Sequence, residues 1–138
     1  MSTIEMPKPD RSVIDRKAQI VDALCKVLPS DSVIFDEHQT RAYECDGLTA
    51  YRCPPLVAVL PRTSQECAAA MRVCHEMNVT VVPRGAGTSL AGGALPTADC
   101  VILGTARLKD VLEVDYDNRI IRVQTGVTNL SVTGMVED

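Results

Sequence analysis

Between Ile14 and Leu28 apolar residues recur every three or four positions, with Ile14, Ala18, Val21, Leu24 and Leu28 on one face. That spacing predicts an amphipathic helix, opened by Ser12 with Asp15 as a capping pair and closed by Pro29. Residues 32–35 read as a short extended piece, and residues 36–45 are polar with a weak helical pattern. Cys53-Pro54-Pro55 then interrupts any ladder or helix, because consecutive prolines lack the needed N–H groups. Beyond it, residues 56–60 form an unbroken apolar run ended by Pro61, the pattern of a strand covered on both faces. Thr63 and Glu66 have capping-box spacing. The helix they start carries Cys67, Ala70, Met71, Cys74 and Met77 on one stripe, and Asn78 ends it before a strand at residues 79–82. Strand, helix and strand make a βαβ unit with parallel strands and a right-handed crossover. Residues 100–103 read as another buried strand, and residues 111–114 and 120–123 flank Asp117-Asn118 as a hairpin. After a turn at residues 124–127, residues 129–138 begin a helix. The fold class expected is α+β, with a mixed sheet and an N-terminal helix. Its expected parts are a helical lead-in over residues 1–52 and a second unit over residues 53–138. A final helix of about ten residues is short for independent stability, so the chain is expected to be part of a longer one.

Composition narrows the class of partner. The 138 residues are 46% hydrophobic, enough for one domain with a real core, yet they include one Phe, three Tyr and no Trp. Aromatic stacking on bases has little to use. A net charge of −4 and a pI near 5.1 also argue against a nucleic-acid partner, which needs a clustered positive footprint. No apolar run reaches the roughly 18 residues of a membrane span, and residues 1–11 are polar and contain prolines, unlike a signal peptide. A cytoplasmic protein is the expectation. Six cysteines occur without a Cys-x-x-Cys pair, and reduced, mostly buried thiols are expected. His38 and His75 are the only histidines, one in a polar stretch and one at the edge of a helical stripe. His38 reads as a surface residue and His75 as a structural or solvated imidazole, and no metal site is expected from two donors.

The candidate chemistry lies in residues 83–93, Pro-Arg-Gly-Ala-Gly-Thr-Ser-Leu-Ala-Gly-Gly, directly after the predicted strand. Four glycines in nine positions let the chain turn at positive φ and leave backbone bare to a ligand, while successive amides in such a turn converge on an anion. Arg84 places a positive charge at the mouth, and Thr88 and Ser89 offer hydroxyls, a set suited to a diphosphate. Other glycine-rich loops do not fit. A dinucleotide fingerprint needs a third glycine where Leu90 stands, and a triphosphate-binding loop needs a lysine after the glycines that Gly92-Gly93 does not supply. Ala94-Leu95-Pro96 lacks the strand that follows a kinase loop. Asp46-Gly47 reads as a turn, although Tyr43 and Asp46 are also candidates to touch a ligand.

The loop with its preceding strand resembles the flavin-diphosphate loop of the vanillyl-alcohol-oxidase and p-cresol-methylhydroxylase superfamily of FAD-binding proteins. Tyr43-Glu44-Cys45-Asp46-Gly47-Leu48, the run from Pro55 to Pro61 and Val123-Gln124-Thr125-Gly126-Val127 are similar, in order and spacing, to the branch formed by the flavin subunits of bacterial glycolate oxidases. The resemblance spans residues 30–138 and only the opening part of that family's longer chain. It implies that Arg84, Gly85, Ala86, Gly87, Thr88 and Ser89 hold the FAD diphosphate by backbone N–H groups, with Pro83 and Gly93 shaping the loop. Gly126 and Val127 would be a second approach to the cofactor. Relatives that bond the flavin covalently from this loop carry a histidine where Thr88 stands, so the implied FAD is dissociable.

By the same resemblance the function is oxidation of a 2-hydroxy acid, glycolate or D-lactate. Iron–sulfur and second flavin subunits would be partners, with a link to the inner membrane through them. The substrate clamp, the base and the metal-binding histidines belong to later parts of that family's chain. No catalytic residue and no metal ligand is therefore assigned among these residues. The alternative from another class is a non-catalytic anion-binding or assembly module that keeps the cradle without the enzyme.

Overall fold

A computed structural model describes residues 6–137; residues 1–5 and Asp138, the last residue of the expected final helix, lie outside the described residues. The first predicted helix is two. α1 (Arg11–Ile14) is capped by Asp10, whose carboxylate accepts from the Ser12 amide at 2.8 Å, and α2 (Lys17–Val27) follows. The break falls at Arg16, at φ −94° and ψ 12°, whose guanidinium donates to the Ser12 carbonyl at 3.0 Å and the Met77 carbonyl at 3.1 Å. This cation ties the junction to the end of a later helix, where free carbonyls collect. The buried stripe is accordingly Val13, Ile20, Val21, Leu24 and Leu28, while Ala18 faces solvent. Leu28 is extended because Pro29 follows it.

β1 (Val33–Ile34) comes next, then the short α3 (Glu37–Thr40) and a 3-10 turn at Arg41–Tyr43. β2 (Val57–Val59) is wholly buried, as its apolar run predicts. α4 (Ser64–Glu76) begins at Thr63, whose hydroxyl accepts from the Glu66 amide at 3.1 Å. The Glu66 carboxylate returns to the Arg62 amide at 2.8 Å, one residue beyond the usual box partner. Ala70, Val73 and Cys74 form the buried side of α4, and Met71, predicted for that stripe, is exposed. Asn78 ends the helix in the left-handed region at φ 53°, a conformation its side chain tolerates.

β3 (Thr80–Arg84) runs two residues further than its apolar core, and β4 (Cys100–Gly104) is almost entirely buried. The strand order is β1-β2-β4-β3, with β1 antiparallel to β2 and the other neighbours parallel. The two strands of the βαβ unit are parallel but not adjacent, since β4 inserts between them. β5 (Val111–Asp115) and β6 (Ile120–Val123) form a separate antiparallel hairpin, with Arg119 at φ 56° in its turn. α5 (Asn129–Val136) is capped by Thr128 and buries no side chain among the described residues.

One hydrophobic cluster joins Ile20, Leu24 and Val33 to Val57, Ala70, Val73 and Val101. The helical lead-in is thus built into the same core as the strands beyond residue 53. Its effect on the loop is mechanical: β2, β4 and β3 are held side by side, and their carboxyl ends open toward one edge, where ligands of parallel sheets bind.

Candidate functional site

β3 delivers Arg84 to that edge, and β4 delivers Gly104 beside it in register. The Thr105 amide donates to the Arg84 carbonyl at 2.9 Å, which fastens the root of the glycine-rich loop to the segment after β4. Among the described residues, none of the amides from Gly85 to Ser89 donates to another protein oxygen. Five consecutive donors therefore remain for solvent or an anion. Gly87 sits at φ +72°, so the loop turns through a conformation that side chains resist.

Arg84 departs from its sequence reading. Its guanidinium is turned inward, donating to the Cys45 carbonyl at 2.7 Å and the Ala94 carbonyl at 3.4 Å, and lies 5.8 Å from the centre of the Tyr43 ring. It therefore acts as a strut joining the two ends of the loop to the 43–46 segment, not as a charge at the mouth. The same segment supports the loop from below: a Cβ on Gly47 would lie 2.7 Å from the Thr88 carbonyl oxygen. Asp46 makes the turn read from its sequence, one carboxylate oxygen accepting from the Leu48 amide at 2.9 Å. Its other oxygen is buried without a partner. Tyr43 and Asp46 are thus elements of the loop's support.

A cleft of about 360 Å³ lies at this edge, within the range of small-molecule sites. Gly85, Ala86, Gly126 and Val127 all line it, so two predicted segments about 40 residues apart in the chain border one space. Pro83, Arg84, Gly87, Thr88, Ser89 and Gly93 are not among its lining residues; Thr88 and Ser89 are exposed beside it. Gly126 is required by packing as well as position. Its amide donates to the Leu108 carbonyl at 2.8 Å, and a Cβ there would lie 2.7 Å from that oxygen and closer still to the Thr105 carbonyl. Sequence reasoning missed Thr105, Ala106, Lys109, Thr125 and Thr128 as lining residues. The available signal was the carboxyl end of β4, adjacent and parallel to β3. Thr128 caps α5, so the positive end of that helix opens on the cleft, and its first turn carries no acidic residue.

The donor set fits an FAD diphosphate: free amides, bare glycine backbone, a helix N-terminus, and no carboxylate or histidine among the lining residues. His38 and His75 are both exposed, and no group of three metal-ligating side chains occurs among the described residues. All six cysteines are free. Cys74 and Cys100 are buried, Cys45, Cys53 and Cys67 are half-buried, and Cys25 is exposed, so burial is less general than expected. Burial pushes the Cys74 and Cys100 thiols up to about 11. No helix among the described residues is long and apolar enough to cross a membrane.

Residues 55–135 match a family described as an FAD binding domain. The chain belongs to this family, whose cofactor is FAD. It is 42% identical over 123 residues to the glycolate oxidase subunit GlcD of Escherichia coli, covering 89% of this chain and 24% of that protein. With the D-lactate dehydrogenase of Archaeoglobus fulgidus it shares 36% identity over 121 residues, covering 78% of this chain and 24% of that one. In fold it is similar to a crystal structure of p-cresol methylhydroxylase with substrate bound, at a TM-score of 0.79 and 18% identity, covering 94% of this chain and 25% of the other. The fold is the p-cresol-methylhydroxylase type of FAD-binding domain. The chain spans about a quarter of the length of each of these proteins. These relationships support an oxidoreductase family and give no support to the assembly-module alternative.

Proposed function

We propose that this chain holds the diphosphate of a dissociable FAD for the oxidation of a 2-hydroxy acid such as glycolate or D-lactate. One observation carries the reading: Gly85, Ala86, Gly126 and Val127 line one cleft at the carboxyl ends of parallel strands. Amides of residues 85–89 supply the phosphate donors, with Pro83 and Gly93 setting the loop's ends and Arg84 bracing its base. Thr88 has no imidazole for a covalent flavin bond, so the cofactor is released on unfolding. When bound, FAD supplies the redox chemistry, and the protein's part is binding and orientation.

The relatives' names support the substrate class, and the name of a glycolate oxidase subunit supports assembly with further subunits; iron–sulfur and second flavin subunits are the partners proposed. Docking on such partners would bring a chain with no spanning helix among its described residues to the inner membrane. Because no carboxylate or histidine lines the cleft, the chain by itself is expected to bind FAD without oxidising either acid.

Titration of the purified chain with FAD, followed by flavin fluorescence, tests the binding. Saturable binding with full release of flavin in denaturant is expected, and absence of binding overturns the reading. Disruption of the gene in its host tests the substrate class: growth on glycolate or D-lactate should fail while growth on acetate continues. Unimpaired growth on both hydroxy acids contradicts it.

A further inference from the structure

Backbone amides bring partial charges to an anion but no net charge, and an FAD diphosphate carries two negative charges. Three basic side chains stand on the segments that build the cleft, and two of them are committed elsewhere. Arg84 is bonded to the Cys45 and Ala94 carbonyls. Arg107 donates to the Asp31 carbonyl at 3.2 Å, the Asp31 carboxylate at 3.3 Å and the Ser32 hydroxyl at 3.4 Å.

Lys109 is different. It lines the cleft, whose lining residues include no acidic one, is exposed, and takes part in none of the ion pairs found among the described residues, which are Arg52–Glu44, Arg62–Asp31, Arg107–Asp31 and Arg122–Glu113. Its position follows from the turn after β4: the Leu108 amide bonds the Thr105 carbonyl at 3.0 Å, and the Leu108 carbonyl receives the Gly126 amide. These bonds hold the backbone that precedes Lys109 against the turn at Gly126.

We infer that the Lys109 ammonium is the counter-charge to the FAD diphosphate in this cleft. The inference rests on the function proposed above and adds a residue that the glycine-rich loop does not contain. An ammonium on a flexible stem suits the task, since it follows a diphosphate as a point charge while the amides fix its geometry. It also gives the site a preference: a flavin with a diphosphate gains from Lys109, and a flavin without one does not.

The test compares FAD with riboflavin, which has no phosphate, on the purified chain at low and high salt. The variants are Lys109→Met, Lys109→Arg and Gly85→Val, with thermal melting as a check of the fold. Lys109→Met should weaken FAD binding about tenfold at low salt and flatten its salt dependence, as loss of one charge-assisted contact requires. Riboflavin binding should be equal in Lys109→Met and the wild type, and Lys109→Arg should hold FAD within about twofold of wild type. If Lys109→Met keeps full FAD affinity while Gly85→Val loses it, the cleft assignment stands and the lysine assignment falls. Equal weakening of FAD and riboflavin also overturns the lysine assignment. If the wild-type chain does not bind FAD, or Gly85→Val binds it as well as wild type does, the proposed function fails and takes this inference with it.

Discussion

Valine placed in turn at Gly87 and at Gly85 separates two physical reasons for glycine in one loop. At Gly87 the backbone has φ +72°, and holding a side-chain residue there costs about 1–2 kcal/mol. The new Cβ would also occupy the space of the Arg84 guanidinium, lying 2.8 Å from its Nε and closer to its terminal nitrogen. Arg84 must then release the Cys45 carbonyl, a half-buried bond from a charged donor that contributes roughly 1.5–3 kcal/mol. Relocation of the guanidinium to solvent recovers part of this, and the stiffer unfolded chain offsets about 0.4–1 kcal/mol. A net loss of about 2–4 kcal/mol follows, which for a chain of this size lowers Tm by roughly 6–12 °C. At Gly85 a Cβ meets nothing within 4 Å, so valine should leave Tm within about 3 °C of wild type and yet block a ligand that needs bare backbone. Calorimetry of both variants, and of Gly87→Val in an Arg84→Ala background, checks the accounting. With no guanidinium to displace, the double variant should show only the backbone part of the cost. Equal melting of Gly85→Val and Gly87→Val would refute the reasoning, as would a full Gly87→Val penalty in the absence of Arg84.

Gly126→Ala should destabilise strongly, by more than about 2 kcal/mol, because its neighbours are the Thr105 and Leu108 carbonyls and backbone does not swing aside; denaturant unfolding measures it. Asp46→Ala removes the acceptor for the Leu48 amide and should lose about 1–2 kcal/mol by denaturant unfolding, whereas Asp46→Asn keeps that acceptor and should lose less. Leu24→Ala should cost about 2–5 kcal/mol and shift one cooperative transition, since Leu24 is fully buried in the cluster that also holds Val57 and Val101. Cys74 and Cys100 stay protonated in the fold to about pH 11, whereas unfolded thiols ionise near 9. Their contribution to stability is whole below pH 9 and is lost as pH rises from 9 to 11. Urea midpoints at pH 8 and pH 10.5 should record that fall.

Strands β2 and β4 were legible because a fully buried parallel strand is an unbroken apolar run, and nothing else in the chain imitates it. The turn after β3 was legible because clustered glycines accept a positive φ, as Gly87 does. What could not be read was partner choice at a distance. Arg84 looks like a charge for a ligand until the Cys45 and Ala94 carbonyls are seen to claim it, and no local pattern announces a carbonyl 39 residues away. The split of the first helix has the same origin, in the bond from Arg16 to Met77. Insertion of β4 between β2 and β3 is a choice of sheet order that hydrophobic periodicity does not encode. Lys109 stayed hidden because its significance lies in the two arginines nearby being occupied.

Where a diphosphate meets the main chain is read directly by amide NMR of the labelled protein during titration with FAD. Shifts should concentrate at residues 85–89 and at Gly126 and Val127, with riboflavin leaving those amides unmoved. FAD-induced shifts confined to other parts of the chain, with residues 85–89 silent at saturation, would contradict the proposed diphosphate site.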